Sequence, residues 1–583
     1  MNKRFHITTL TAAAALLATG GIANAQSAPG NATGAVQSAN IEELRRLERE
    51  RRAPEKPAAP LDASRAAAKD APATGTAGDA AKDAGPRFKL KRIAFDQSDV
   101  FDAPFLAGVA AKLTGTEVSF HDLRALCATL NAEYRRRGFP VNIANIPPQK
   151  IKDGELRVQL IEARIGKVTF EGVNATSEKY VAERLAVGAG DPVNVNKLED
   201  AFIWANRAGN AAIAAELRAG AKPGETDIVA KVTEPARADL SFFADNGGRK
   251  STGAYRGTLM ARGNNWGLDG DAVTLSGIHS KGASTAFGAY EAPVPFLGWR
   301  GITAGADYSY GETKVIAGEY AALDITGISH SAGGHVTAPL IATADFFASA
   351  TVAGGYYHST TDYVTVLSDK EETAHGSVSV NVEWNFWSGR TVASAEYRSG
   401  FAWLGKNNPV KDPREGVYHK AVGTLYRRQA LPFAPVLTLT GLLTGQLAGD
   451  GRLPTSEQFQ LGGHNSVRGY PEGILLGDHG YLARGEAHLT APKLGAAKGG
   501  AWDTLTDCVS LFGFIDHGAV FPFSGRDTSY GSCEFATSAG AGINLNFRDW
   551  LFASFTYAKP LDRVPFGRQE DNYLFRVGVR ATW

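Results

Sequence analysis

Cysteine is scarce: Cys127, Cys508 and Cys533 are the only three in 583 residues. So few exclude a disulfide-stapled scaffold, and no Cys/His metal spacing occurs. Cys127 falls on an apolar helical stripe and reads as a small core residue. Cys508 and Cys533 are expected at opposite ends of one hairpin, so no bridge between them is expected. Charge of one sign is also missing. Sixty-one Lys and Arg face 60 Asp and Glu, leaving +1, which removes the electrostatic footprint of a nucleic-acid binder. Past the first 25 residues no run of about 18 apolar residues occurs, so no helix is expected to cross a bilayer. If this chain sits in a membrane, it must do so as a barrel.

What is present begins with a leader. Lys3 and Arg4 precede the short apolar stretch Ile7–Leu17, and Ala23-Asn24-Ala25 offers a small-x-small cleavage site. Residues 1–25 therefore read as a signal peptide. Residues 26–86 are rich in Ala, Pro, Gly, Asp and Lys and cannot bury enough apolar surface to fold alone. One island, Ile41–Arg52, is helix-prone, with acids early and arginines late, as the helix dipole favours. Two readings stand for it: a solvated charged helix, or a plug that docks in a polar cavity on a Pro/Ala-rich tether.

Residues 87–163 and 164–237 divide into two similar units. The first reads as a strand Lys89–Phe95, a helix Ala103–Leu113, a helix from Ser119 with Asp122 at the capping-box position, and strands Val141–Ile146 and Glu155–Glu162. The second reads as a strand Gly166–Phe170, a helix Ser177–Leu185, a helix from Asn196 with Glu199 as its box partner, and strands Ala211–Ala219 and Asp227–Val232. This β-α-α-β-β order, twice, predicts three-stranded sheets each covered by two helices. Gly138-Phe139-Pro140 with Pro148–Leu156 resembles the first POTRA domain of the two-partner secretion transporters, the hemolysin-activator family. Ile165–Gly172 resembles the start of the second. The resemblance implies periplasmic domains whose open sheet edge accepts a client as an added strand. A spacer or a dimerisation module is the alternative from the residues alone.

From Ala238 to Trp583 short alternating segments are separated by Gly, Asn, Asp and Ser turns. Val378, Val380, Val382 and Trp384 share one face; Ser377, Ser379, Asn381 and Glu383 share the other. At about 22 residues per strand and connection, residues 238–583 hold about sixteen transmembrane strands. The expected fold class is thus mostly β: a C-terminal transmembrane barrel of about sixteen antiparallel strands preceded by two small α/β POTRA domains. In the last segment Phe575, Val577, Val579, Ala581 and Trp583 are expected to face lipid, and Arg576, Gly578, Arg580 and Thr582 the lumen. Phe575 and the terminal Trp583 resemble the signal that outer-membrane barrels present to the barrel-assembly machinery.

Two motifs remain. Phe459–Tyr470 passes from apolar residues through paired glycines, Gly462 and Gly463, to Val467-Arg468-Gly469-Tyr470. Glycines permit a turn where a side chain would clash, and Arg468 carries a planar, always-charged fork suited to a carboxylate. Phe514, Asp516 and Gly518 share a face at period two, opposite Leu511, Ile515 and Ala519, with His517 an awkward member of the apolar side. In the hemolysin-activator family the Val-Arg-Gly-Tyr loop folds back into the lumen and its Arg meets the Asp of Phe-x-Asp-x-Gly on the wall. The resemblance therefore implies an Arg468–Asp516 pair, as does the confinement of both charges in one lumen.

The expectation is an outer-membrane translocator with a secreted protein as partner, and not an enzyme, a metal site or a nucleic-acid binder. No cofactor is implied. Gly400–Lys406 matches the start of a phosphate loop, but Asn407 stands where Ser or Thr is needed. Gly327-Ile328-Ser329-His330-Ser331 fails the nucleophile elbow at its last position. His517 beside Asp516 reads as a structural neighbour and not an acid-base partner. A barrel-assembly insertase and a solute porin remain the rival functions.

Overall fold

The computed structural model describes residues 87–583 apart from 152, 223, 295–300, 319, 364–366, 405–413, 450–451, 491–507, 522–532, 548–549 and 564–571. The leader, the 41–52 helix and residues 405–407 of the phosphate-loop resemblance lie outside the described residues. Among the described residues, 87–234 and 235–583 form separate compact units.

In the N-terminal unit the first sheet contains β2 (Arg92–Phe95), β4 (Ile143–Asn145) and β5 (Glu155–Ile161), in the order β2-β5-β4. The expected first strand is split. Residues Phe88–Lys89 (β1) pair instead with Glu117–Val118 (β3), and Leu90 between them turns fully into the core. Helix α1 (Ala103–Ala111) begins at the Asp102 cap. Helix α2 (Phe120–Arg136) begins at a capping box: Ser119 N donates to Asp122 Oδ2 at 2.8 Å and Asp122 N to Ser119 Oγ at 3.3 Å. Those hydrogen bonds, the backbone one foremost, lower the Asp122 pKa. Its Leu123, Leu126, Leu130 and Tyr134 face the sheet, as a 3.6-residue period dictates.

The second sheet contains β6 (Arg164–Glu171), β7 (Ala212–Ala219) and β8 (Glu225–Thr233), ordered β6-β8-β7 under α3 (Glu178–Leu185) and α4 (Val195–Ala208). Here α4 starts one residue before the expected Asn196. Its cap is Asn194, whose side chain accepts from Lys197 N at 3.1 Å, so the Asn196/Glu199 box does not form the start. In both sheets a central strand pairs in parallel with the first strand and antiparallel with the other. Each sheet therefore has two edges.

Residues 238–583 form a closed antiparallel barrel of sixteen strands. These are β9 (Ala238–Asp245), β10 (Arg256–Asn264), β11 (Ala272–Ser280), β12 (Ala283–Pro293), β13 (Thr303–Lys314), β14 (Thr326–Ala342), β15 (Phe346–Tyr363), β16 (Leu367–Phe386), β17 (Gly389–Leu404), β18 (Gly416–Ala430), β19 (Leu437–Ala448), β22 (His479–Thr490), β23 (Val509–Phe521), β24 (Glu534–Phe547), β25 (Leu551–Pro560) and β26 (Tyr573–Thr582). A further short hairpin, β20 (Phe459–Leu461) with β21 (Leu475–Gly477), lies outside the wall sheet. Alternation is the barrel's organising rule: Val352, Val378, Val380 and Trp384 are exposed on the outside, while Ser349, Thr373 and Ser377 on the other face are buried. The turns at the end holding Ala238 and Trp583 expose Trp266, Trp387, Phe433 and Trp550, an aromatic girdle of the kind found at a membrane interface. Among the described helices none is long and apolar enough to cross a membrane.

The barrel closes where β26 pairs β9 from Arg576↔Asp245 to Thr582↔Asp239. Arg576 Nη2 lies 3.1 Å from Asp245 Oδ2, and Arg580 pairs with Asp239. Val577, Val579 and Trp583 are exposed, whereas Leu574 on the lumenal register is buried. Cys508 and Cys533 are free. They flank the β23–β24 hairpin at opposite ends, since Val509 pairs Leu545 and Val520 pairs Glu534. Gly400 lies within β17, and Gly327–Ser331 within β14.

Candidate functional site

The site is built by the connection between β19 and β22. Phe459, Gln460 and Leu461 pair with Gly477, Leu476 and Leu475 to make a small hairpin. Beyond it the backbone turns at Gly462 (φ +102°) and Gly463 (φ +98°). A Cβ on Gly462 would lie 2.3 Å from the Pro471 carbonyl oxygen, so no other residue fits that turn without shifting backbone. Phe459, Leu461, Val467, Tyr470 and Leu475 then bury against Tyr426, Leu442, Leu482, Val520 and Ala536 of the wall. Apolar burial thus holds the loop inside the barrel lumen, where alternation alone would leave polar wall and water.

Arg468 is carried to the wall by this packing. Its Nε and Nη2 each stand 2.7 Å from an oxygen of Asp516, and its backbone N–H donates to Asp516 Oδ2 at 3.2 Å. Its Nη1 is 2.7 Å from Glu486 Oε1. Phe514, two residues before Asp516 on β23, lies with its ring centroid 3.5 Å from the Arg468 Cζ. Arg468 is 4 % exposed and Asp516 wholly buried. A bidentate guanidinium–carboxylate pair in such a place is strong in geometry, and removing either partner strands a buried charge. Gly518 completes the motif by absence of bulk: its Cβ would come 2.7 Å from Leu461 Cδ2. Gly469 passes close to Ala558 and Pro560. The Tyr470 hydroxyl donates toward the carbonyls of Thr537 (2.8 Å) and Asp562 (3.0 Å).

Sequence reasoning missed two members. Arg484 Nε lies 3.3 Å from Asp516 Oδ1, and Glu486 is also paired with His488 at 2.8 Å. Two cations and two carboxylates thus share the centre. The signal was available: Arg484, Glu486 and His488 alternate with Ala483, Gly485 and Ala487, the period-two mark of a lumenal face. His517 points the other way. Its ring lies between the Tyr481 hydroxyl (2.9 Å) and Thr537 Oγ1 (2.8 Å) of neighbouring strands, which satisfies it on the outer face and separates it from the Asp516 carboxylate. Phe575 meets Tyr255 on the barrel exterior, and Trp583 pairs its backbone with Ala238 at the seam. Chemically, the arrangement is a closed ionic cluster: its charged groups are spent on one another.

Residues 224–545 match the haemolysin secretion/activation protein ShlB/FhaC/HecB family, and residues 88–163 match the ShlB-type POTRA domain. The chain belongs to the haemolysin secretion/activation family. It is 26% identical over 502 residues to the heme/hemopexin transporter protein HuxB of Haemophilus influenzae, covering 82% of this chain and 84% of that protein. It is 24% identical over 515 residues to the outer membrane transporter CdiB of Dickeya dadantii, covering 85% and 87%. In fold it is similar to CdiB from Escherichia coli, with a TM-score of 0.65 and 18% identity over 94% of this chain and 98% of that one. BamA from Haemophilus ducreyi lacking POTRA domains 1–3 shares the fold at a TM-score of 0.51 and 15% identity, covering 85% of this chain and 100% of that one. The family member described here is an outer-membrane transporter of two-partner secretion, acting with a secreted protein partner, and its N-terminal domains are periplasmic. Ala238 and Trp583 mark one end of the barrel, and residues 452–478 join β19 to β22 at the other.

Proposed function

We propose that an unfolded secreted protein is caught in the periplasm by the edge strands of two POTRA domains, residues 87–163 and 164–237, and passes outward through the barrel of residues 238–583. A signal peptide at 1–25 and a leader at 26–86 precede them. Backbone pairing at a sheet edge grips a client without regard to sequence, which suits a long unfolded chain. The Val467–Tyr470 segment acts as the latch of the channel, with Arg468 held by the Phe514-x-Asp516-x-Gly518 wall. One observation carries the reading: the loop between β19 and β22 is seated inside the lumen by a buried bidentate ion pair. Such a seat both occupies the path and can be undone as a unit. The chain performs no catalytic step. The strand ending Phe575–Trp583 is the segment read by the barrel-assembly machinery. The relatives' names speak of heme/hemopexin transport and of outer-membrane transport; for this chain the cargo is a secreted protein.

The test is secretion by latch variants. Arg468→Ala and Asp516→Ala each lower the partner in the medium while the barrel still reaches the outer membrane. Secretion at the native level from both variants would remove the latch from the mechanism.

A further inference from the structure

The same loop has a second ionic seat, at its root and on wall strands that precede those holding Arg468. Thr455–Glu457 forms one short turn before β20. The Glu457 carboxylate accepts from Arg398 of β17 at 3.0 and 3.2 Å, from the Tyr418 hydroxyl of β18 at 3.2 Å, and pairs with Lys420 of β18 at 2.7 Å. Lys420 is 2 % exposed. Its ammonium also donates to the Glu457 carbonyl at 2.9 Å and to Gln446 Oε1 at 3.3 Å. An ammonium has three protons, and two of these three partners are atoms of Glu457. Gln446 of β19 in turn donates to the carbonyls of Glu457 and Asp478, 3.1 and 3.0 Å away. Asp478, the last residue of the loop, accepts from Leu453 N at 2.8 Å. Ser456 N donates to Glu371 of β16 at 3.0 Å. The two feet of the loop are therefore tied to each other and to β16–β19, whereas the Arg468 end is tied to β22–β25.

We propose that Glu457 is the seat that turns this loop into the lumen, with Arg398 and Lys420 as its positioning residues, and that the loop stays hinged there while the Arg468 end comes away to open the channel. The physical reason is that the feet are fixed to the wall: Asp478 leads straight into β22, and Gln446 of β19 donates to the carbonyls of both Glu457 and Asp478. They have no room to travel, while the tip has. Without the seat the feet would no longer be bent inward, and the segment would behave as an ordinary outer loop. The inference rests on the latch reading above, and loop position is measured separately from secretion.

The reporter is Asn465→Cys at the loop tip, in the full-length chain with Cys127, Cys508 and Cys533 replaced by serine. Intact cells are treated with a membrane-impermeant maleimide, and barrel integrity is followed by heat-modifiable migration. Glu457→Gln keeps the shape and removes the charge. Its labelling rate is expected to rise about tenfold over the reporter alone, the ratio given by about 1.4 kcal/mol, with a matching fall in secretion. Adding Lys420→Met to Glu457→Gln removes the stranded cation and is expected to restore part of both. The control is Glu396→Gln, which loses a partner of Arg398, 2.9 Å away, without touching the loop; its labelling is expected to match the reporter alone. Unchanged labelling in Glu457→Gln, or equal rises in Glu457→Gln and Glu396→Gln, would overturn the seat. Increased labelling with native secretion would uphold the seat and overturn the latch reading instead. Should Glu457→Gln fail to assemble, Glu457→Asp, which withdraws the carboxylate by one methylene, is read by the same criteria.

Discussion

Arg468 donates two side-chain hydrogen bonds to the carboxylate of Asp516, and both residues are buried. Deleting one side of such a pair costs about 3–5 kcal/mol because the other remains as a buried charge. The losses of Arg468→Ala and Asp516→Ala in secretion should therefore be far from additive. A double-mutant cycle in which the double variant is little worse than either single is expected, and full additivity would argue against direct coupling. Gly518→Val should act through shape: its branched side chain enters the space of Leu461, and secretion should fall although no charge is altered. This pair was legible because each residue stands in a short motif with its own local signature. For Arg484 and Glu486 the alternation marks a lumenal face, but a lone Arg-Gly-Glu in a strand does not say which lumenal residues meet Asp516. The Glu457 seat was hidden for a different reason: Arg398 and Lys420 are opposed on neighbouring strands, but Glu457 reaches them only because its loop folds inward.

At the scale of elements, periodicity gave the helices and most strands, and the misses have local causes. Leu90 turns inward and divides the expected first strand, which composition alone does not show. Asn194 displaced Asn196 as the α4 cap, two equally good capping residues standing two positions apart. The turn before α3 supplies a further prediction. Glu234 accepts from the backbone N–H groups of Asn174, Ala175 and Thr176 at 3.1, 2.9 and 2.8 Å. Burial raises its pKa, but these donors outweigh burial and the net shift is downward. A depressed carboxylate pKa stabilises the fold above the ordinary glutamate range, and that contribution fades as pH falls through the lowered value. Glu234→Gln should thus speed hydrogen exchange at Asn174–Thr176 in the full chain at neutral pH, with the difference from the parent shrinking in acid. Equal exchange at neutral pH would remove this anchor. For the leader helix, residues 41–52, the plug reading predicts that deletion raises single-channel conductance in planar bilayers, and unchanged conductance would dismiss it.

At the scale of the molecule the question is the route. The count of about sixteen strands followed from spacing and matches the closed barrel, because each strand must cross a fixed thickness of bilayer. The seam between β26 and β9 carries ion pairs from Arg576 and Arg580 to Asp245 and Asp239, and Asp245 is shared with Arg256 at 2.9 Å. Passage through the lumen does not require this seam to part, whereas insertion of other barrels through a lateral opening would. Ala244 and Val577 are directly opposed across it. Ala244→Cys with Val577→Cys, once oxidised, should secrete as well as the reduced form. Loss of secretion on oxidation, regained with reductant, would show that the seam must open.

The measurement that tests the central claim most directly is deletion of the gene, followed by comparison of the culture medium, the periplasm and the outer membrane. Transport of a secreted partner predicts that one large protein disappears from the medium and accumulates or is degraded in the periplasm, while other outer-membrane barrels keep their levels. A medium unchanged in its proteins, or a joint fall of many barrels, would contradict it.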